Sequence, residues 1–397
     1  MRLNSIQKKI IEKRRHIYRF CYNKAISTIN GENIYYPVEL SCPENEEIKK
    51  ISFNNYYSKF TLRDIIAPDS CNAFSPWVLG AGYSIREQAA FEASNAQKTA
   101  LANLKAGNIK FFNLRFKSKK EYKWTMNVGK GNINNHDLGF SWYEETGYMK
   151  TKEKVRITKD CKIHFNGKDY FLIHPYEKER EKEVVKSYFC ALDPGERKFH
   201  TLYNPEKEAI NVGERASGVI HETMLSLDSL LSRKNKIENK STKSNPFTKK
   251  IRKLNKLQIR HRIRIKNLQT EMHNKTSLFL CENFNNIVIP KLTEKNNIIK
   301  KSKRTLKTST VRKMVALGHC KFVEKLKNKA HEYTDVNVNI ETEEYTSQIC
   351  PRCSRKTKTS QEIYKCKNCF FSMDRDFLGS RNILLKNWGL LEASHAR

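Results

Sequence analysis

Nowhere in this 397-residue chain do apolar residues run for the ~18 positions that a membrane-spanning helix needs. The opening stretch MRLNSIQKKIIEKRRH is too charged for a signal peptide. A soluble, intracellular protein is expected, with no membrane among its partners. Disulfide-framework spacing is missing too: of 11 cysteines, Cys21, Cys42, Cys71, Cys161, Cys190, Cys281 and Cys320 are scattered singly, which suits a reducing compartment. No internal repeat is visible. Acidic side chains are scarce, 42 against 75 Lys plus Arg, for a formal charge of +33. Spread over the whole chain, such a charge repels itself unless an anion covers it, and the usual anion is nucleic acid.

What is present concentrates between Glu343 and Leu385. Two CxxC pairs, Cys350/Cys353 and Cys366/Cys369, are separated by twelve residues. A hairpin of that length can bring four thiolates around one tetrahedral Zn²⁺, with Zn–S bonds of about 2.3 Å. All four positions would then be filled by protein, so the ion would be structural. Zinc ribbons serve ribosomal proteins, transcription factors and nucleases alike, so the pattern speaks for metal and not for function. Directly after it comes Met373-Asp374-Arg375-Asp376 and a run whose apolar members Leu378, Ile383, Leu384 and Trp388 lie near helical spacing. Asp376 is placed at a helix N-terminus, where an Asp can be a plain cap or a functional acid.

Along the chain, 5–30 reads as a basic helix with Ile6, Ile10, Ile11, Ile17 and Phe20 in a stripe and Lys8, Lys9, Arg14 and Arg15 on the other face. Residues 31–60 are polar and broken by Gly and Pro, and 84–107 is Ala-rich and helical. A β-rich stretch follows, in which Phe111, Phe112, Leu114 and Phe116 precede Lys117, Lys119 and Lys120. Such interleaving can pair phosphates while stacking bases, or it can be a strand with a buried aromatic face and solvated lysines. Short strands over 122–178 suggest a small β-barrel or sheet, and EKEREKEVVK (177–186) reads as a linker.

The second half opens with strand, Asp193-Pro-Gly turn and strand (188–204), then a short strand (209–214). Long helices are expected over 217–240 and 247–281, followed by a strand at 285–292, a basic loop, a helix over 309–331 and a strand at 336–343. The order βββ-α-β-α-β-α is similar to that of the RNase H superfamily, whose nucleases hold two Mg²⁺ ions on carboxylates from strand ends. Magnesium takes hard oxygen ligands, which Asp and Glu supply and Cys or His would not. Asp193 and Asp376 are the candidate ligands.

These motifs carry a resemblance. From about residue 10 to 388 the chain resembles the RNA-guided nucleases of the TnpB group, through PWV (76–78), SIREQA (84–89), RFKSKK (115–120), ALDPG (191–195), YTSQICPRC (345–353) and DRDFLGSRNIL (374–384). Within that group it resembles most the Fanzor proteins of eukaryotes and their large viruses, because Ile287-Val288-Ile289 is followed by Pro290 where TnpB proteins have a Glu. Fanzor proteins commonly lack that Glu and use one near the ribbon. If 336–344 is extended, Val336, Val338 and Ile340 face the core, and Asn337, Asn339, Glu341 and Glu343 face the other side. Glu343 is the first choice, Glu294 the local rival, with Glu341 and Glu282 behind.

The resemblance implies an α/β multidomain chain. Residues 1–180 would form a wedge β-barrel with a helical recognition insertion, and 181–397 a RuvC-like nuclease domain with a zinc ribbon at about 345–373. It implies a guide RNA and duplex DNA with a short flanking motif as partners. It implies catalytic Asp193, Glu343 and Asp376 on two Mg²⁺ ions, and one structural Zn²⁺ on Cys350, Cys353, Cys366 and Cys369. A eukaryotic resemblance implies a nuclear location, with KKSKR (300–304) a weak basic signal. The competing classes are a cleavage-deficient RNA-guided repressor, favoured by Pro290, and a ribosome-associated zinc-ribbon protein, which leaves Asp193 and Asp376 without a role.

Overall fold

The computed structural model describes residues 1–31, 57–66, 76–179, 187–239, 248–291, 307–342, 344–359 and 361–389. Glu343, Glu294, KKSKR (300–304) and most of the linker and basic loop lie outside them. The chain divides into two compact units, Met1–Glu177 and Lys178–Arg397. Among the described residues no helix is long and apolar enough to cross a membrane.

The first unit is built on helix α1 (Ser5–Asn30), opened by a capping box at Asn4 and closed by Gly31 in the left-handed region. It packs against α4 (Tyr83–Lys105), with the short helices α2 (Lys59–Ile66) and α3 (Pro76–Leu79) beside them. Two three-stranded antiparallel sheets complete it. One has the order β1-β5-β6 (Trp124–Val128, Cys161–Phe165, Tyr170–Ile173), the other β2-β3-β4 (Ile133–His136, Gly139–Trp142, Tyr148–Lys150). No closed barrel is present among the described residues. The inward side chains Trp124, Met126, Ile163, Phe140, Trp142 and Met149 join one cluster with Ile11, Ile17 and Ala89 of the helices, so helices fill the space that a barrel would enclose.

Two arginines placed on the face of α1 opposite its apolar stripe are internal. Arg14 donates to the Trp142 carbonyl at 3.0 Å, reaches Glu145 at 3.3 Å and lies over the Trp142 and Tyr143 rings. Arg15 pairs with Glu12 over the Trp124 ring. Ile6, expected in the buried stripe, is instead 67% exposed.

The second unit carries a five-stranded sheet of order β11-β10-β7-β8-β9. Strands β7 (Ser187–Pro194), β8 (His200–Asn204) and β9 (Lys207–Val212) form an antiparallel meander. A helical pair, α5 (Glu214–Asn239) and α6 (Thr248–Asn283), leads to β10 (Phe284–Pro290), which lies parallel to β7. Then come α7 (Thr308–Leu317), α8 (His319–Ala330) and the edge strand β11 (Asn337–Glu341), parallel to β10. The single helix expected over 309–331 is broken at Gly318, whose φ is +67°. A side chain there would overlap Gln269, which donates to the Ala316 carbonyl at 2.7 Å. After the hairpin β12 (Ile363–Lys365) and β13 (Ser372–Asp374) the described chain ends in α9 (Arg375–Asn387). One sheet face packs through Cys190, Leu192, Ile287 and Ile289 on α6 and α8; the other, through Ala191 and Val288, packs on Ile383 and Leu384 of α9.

Candidate active site and four-cysteine ribbon

Asp193 ends the central strand β7. Alternation along β7 puts Cys190 and Leu192 on the α8 side and Ala191 and Asp193 on the α9 side. Opposite it, helix α9 begins with two acids that divide two tasks. Asp374 is the N-cap: its carboxylate accepts the Asp376 N–H at 2.9 Å and the Phe377 N–H at 3.2 Å. Asp376 sits in the first turn with its own side chain uncommitted to capping, where the helix dipole favours a negative charge.

Three residues on, Gly379 meets Asp193. A methyl group on Gly379 would overlap Asp193 Oδ2, so the glycine is what lets the helix lie against that carboxylate. Asp376 and Gly379 are neighbours on one helix face, and Asp193 therefore shares a face of α9 with Asp376. Lys198, in the turn after Asp193, holds its ammonium 4.0 Å from Asp376 Oδ2 and over the Phe377 ring. One turn further along α9, the buried Asn382 donates to the carbonyls of Thr346 (2.7 Å) and Ile349 (2.8 Å), fastening the base of the ribbon to the helix. Asp374, Gly379 and Asn382 were not assigned roles from the sequence. All three lie within DRDFLGSRNIL, and the i, i+3, i+6 spacing of 376, 379 and 382 is the signal that finds them.

The registers place the remaining acids. Val288 pairs with Ala191, and Pro290 with Glu341. Continuing the first register by two residues sets Pro290 beside Asp193, so Asp193, Pro290 and Glu341 form a row on the α9 side of three adjacent strands. The Glu341 carboxylate is turned back to accept its neighbour's Thr342 N–H at 2.8 Å. Glu282 precedes β10 and lies at the opposite end of the sheet, about 20 Å away along the strands, which removes it from contention. The expected alternation of β11 holds for Val336 and Val338, which pack on the core, but Ile340 is 39% exposed. An edge strand has a neighbour on one side only, and this residue is left to solvent.

In the ribbon, the four Sγ atoms of Cys350, Cys353, Cys366 and Cys369 all lie within 4.8 Å of one another. Among the described residues this is the one place where three or more His, Cys, Asp or Glu side chains converge in that way. The two halves repeat one turn. The Ser354 N–H returns to the Cys350 carbonyl and the Phe370 N–H to the Cys366 carbonyl, and Ser354 and Phe370 both have positive φ, 55° and 58°. Backbone N–H groups of Cys369 and Asn368 aimed at Cys366 bring its thiol down to about 6, while burial pushes Cys350 up to about 12. A soft, four-thiol, inward-facing set of this size could hold one zinc ion.

Two basic features complete the surface. On α6, Lys249, Lys253, Lys256, Arg260 and Arg264 recur every three or four residues, all exposed. None makes an ion pair with a described residue, and no acid occurs between Thr248 and Glu271. In the first unit, the aromatic segment expected as a strand joins no sheet. Asn30 clasps the backbone of Leu114 and Asn23 that of Lys117, each through donor and acceptor. Phe111, 83% exposed, projects outward with Arg115, Phe116, Lys119 and Lys120, so the buried-aromatic reading fails. Lys117 is an exception among the lysines: it pairs with Glu92 at 2.5 Å and lies over Tyr22 and Tyr18.

Residues 319–383 match the family described as Cas12f1-like, TNB domain. "TnpB-like protein L770" of Acanthamoeba polyphaga mimivirus is 25% identical over 389 residues, covering 96% of this chain and 72% of that protein. "TnpB-like protein L79" of the same virus is 25% identical over 400 residues, covering 96% and 72%. The chain is thus similar to TnpB-like proteins over nearly its whole length. A solved chain from the "Cryo-EM structure of the Cas12f1-sgRNA-target DNA complex" is similar at a TM-score of 0.48 and 12% identity, covering 94% of this chain and 82% of that one. The family match starts at His319, includes all four ribbon cysteines and ends at Ile383, and so takes in Asp376, Gly379 and Asn382.

Proposed function

We propose that this protein is an RNA-guided DNA endonuclease of the Fanzor kind, which uses a guide RNA and a short flanking motif to find duplex DNA and cuts it by Mg²⁺-dependent hydrolysis. The observation that carries the reading is the juxtaposition of Asp193 and Asp376 on one face of α9, across the gap left by Gly379, with capping delegated to Asp374. Two oxygen-rich side chains crowded at a strand end repel each other unless a hard cation lies between them. When bound, a pair of Mg²⁺ ions would activate the attacking water and neutralise the leaving oxygen. Asp193 and Asp376 hold the ions, with Glu343 as the third ligand and Glu341, which lies on the correct face, as its rival. Cys350, Cys353, Cys366 and Cys369 hold one structural Zn²⁺, and Asn382 couples that ribbon to the acid-bearing helix. The unpaired stripe on α6 meets phosphates, and the exposed Phe111 and Phe116 with their lysines meet unstacked bases. A nuclear location belongs to the same proposal.

A second reading has one specific observation in its favour. Pro290 stands beside Asp193 where a carboxylate would complete the row, and its loss suits a protein that binds guide and target without cutting. Purifying the full chain, sequencing the RNA that comes with it, and offering a matching duplex in Mg²⁺ or Mn²⁺ separates these. Cleavage supports the endonuclease, sequence-specific binding without cleavage the repressor, and absence of a defined RNA neither.

A further inference from the structure

The turn that carries Asp193 is held from below by buried histidines that the proposed chemistry does not use. Within the turn, the Gly195 N–H reaches the Phe199 carbonyl at 3.3 Å, and the Gly195 carbonyl lies 3.1 Å from Nε2 of His319, the first residue of α8. A carbonyl can only accept, so His319 is held as the tautomer that donates from Nε2. The Phe199 ring is sandwiched between His319 (5.1 Å, 14° between planes) and His273 of α6 (5.1 Å, 19°), with Phe322 edge-on at 5.0 Å. His273 in turn lies 2.8 Å from the Leu317 carbonyl at the α7–α8 corner. His200, fully buried and edge-on to His319 at 5.2 Å, pairs with Pro194 in the sheet. Space filling alone does not account for a polar ring here. A phenyl ring would fill the same slot without the expense of desolvating two ring nitrogens, one of which, His319 Nδ1, has no partner. What the imidazole adds over a phenyl is one donor, and that donor is spent on the backbone two residues beyond Asp193.

We propose that His319 is a positioning residue for the Asp193 carboxylate, acting through the Gly195 carbonyl. This rests on the reading that Asp193 holds a divalent ion. It goes beyond that reading in assigning the geometry of the carboxylate to a residue 126 positions away in sequence, on another element. Partners behind a ligating side chain are worth about 10–100-fold in metal affinity or activity when they are lost.

The test compares two variants of the full chain. His319→Phe keeps the ring, the stack on Phe199 and the burial, and removes the donor. His319→Gln keeps a donating Nε2 and loses the ring. Mn²⁺ binding is followed by electron paramagnetic resonance, cleavage by its Mg²⁺ dependence, and folding by thermal melting. The expected result is that His319→Phe melts within a few degrees of wild type and binds guide RNA equally, while its Mn²⁺ affinity drops about 10-fold or more. Half-maximal cleavage then needs correspondingly more Mg²⁺, and His319→Gln recovers most of the affinity. Should His319→Phe not fold, His319→Met takes its place with the same expectation. Wild-type Mn²⁺ affinity in His319→Phe overturns the proposal, as does a His319→Gln variant that is no better than His319→Phe. If Asp193→Ala leaves Mn²⁺ binding unchanged, the metal reading itself falls, and is told apart from a failure of the positioning role alone.

Discussion

At the scale of single residues, Gly379 separates packing from chemistry. Ala is favoured over Gly in a helix interior by about 1 kcal/mol, so Gly379→Ala would stabilise α9 if nothing lay against it. Its methyl instead meets Asp193 Oδ2. We expect Gly379→Ala to cut DNA about 10²-fold more slowly, since a displacement near 1 Å at a reacting centre has that effect, while guide and target binding persist. A variant that melts higher and cuts normally would show that the gap has no part in the site. Asp193→Ala and Asp376→Ala should each abolish cleavage and leave binding nearly intact. Glu343→Ala should match them with Glu341→Ala mild; the reverse pattern moves the third ligand to the end of β11. The histidines make a pH prediction. Burial brings His319 down to about 4 and lowers His273, the latter helped by Lys325 and Lys321 and opposed by the Leu317 carbonyl. Both folded values lie below the ordinary 6.5, so the unfolded chain binds more protons between them. Stability is fully present above about pH 6.5 and is lost as pH falls toward 4, by about 3 kcal/mol for His319 alone. Thermal melting from pH 7 to 4 should show this loss in wild type and less of it in His319→Gln. The strand end at Asp193, the helix start at Asp376 and the clustering of the four cysteines were legible in the sequence because each signal is local, a strand end, a cap or a knuckle a few residues long. His319 was not, because its partner lies three strands and three helices away in the chain, and no spacing rule connects them.

At the scale of elements, what could be read was whatever depends on periodicity. Helices α1, α4, α5 and α6 and strands β7 to β11 fall within a few residues of their expected places, because apolar spacing and glycine stops fix them. What failed depends on partners. Arg14 and Arg15, placed opposite the apolar stripe, are clasped by Trp142, Glu145 and Glu12; the segment at 111–117 looked like a strand and is held by two asparagines instead of a sheet; the barrel gave way to two sheets filled by helices. The ribbon is the element whose behaviour follows most directly from its geometry. Elemental analysis should find one equivalent of zinc in wild type and none after Cys366→Ser with Cys369→Ser, a pair that should also loosen the base of α9 through Asn382. Zinc content unchanged by this pair, or absent from wild type, would refute the assignment. In α6, replacing Lys253, Lys256 and Arg260 by Gln should weaken nucleic-acid binding about equally for all sequences and lower the salt slope by roughly one per lost contact. An unchanged slope would leave the stripe as a solvated face.

At the scale of the molecule, a formal charge of +33 decides what can be bound and how. A charge this large is unfavourable in the free protein, because like charges over one surface raise the energy of the compact state. Covering it with a polyanion releases the counterions condensed on that polyanion, and each phosphate neutralised contributes to the dependence of binding on salt. The proposed function needs many such contacts, because a guide RNA must stay with the protein while a DNA target is sampled and released. With six or more phosphates engaged, RNA affinity should fall by about 10³-fold or more between 50 and 200 mM salt. The slope distinguishes a distributed grip from a small specific one: a protein that recognised its RNA through a few stacked bases at Phe111 and Phe116 would retain most of its affinity over that range. Measured by filter binding at several salt concentrations with the RNA that copurifies, a slope near that of one or two contacts would mean the charge does not serve to hold RNA. A steep slope that flattens when the α6 stripe is neutralised would locate part of the grip on the same unit that carries Asp193 and Asp376.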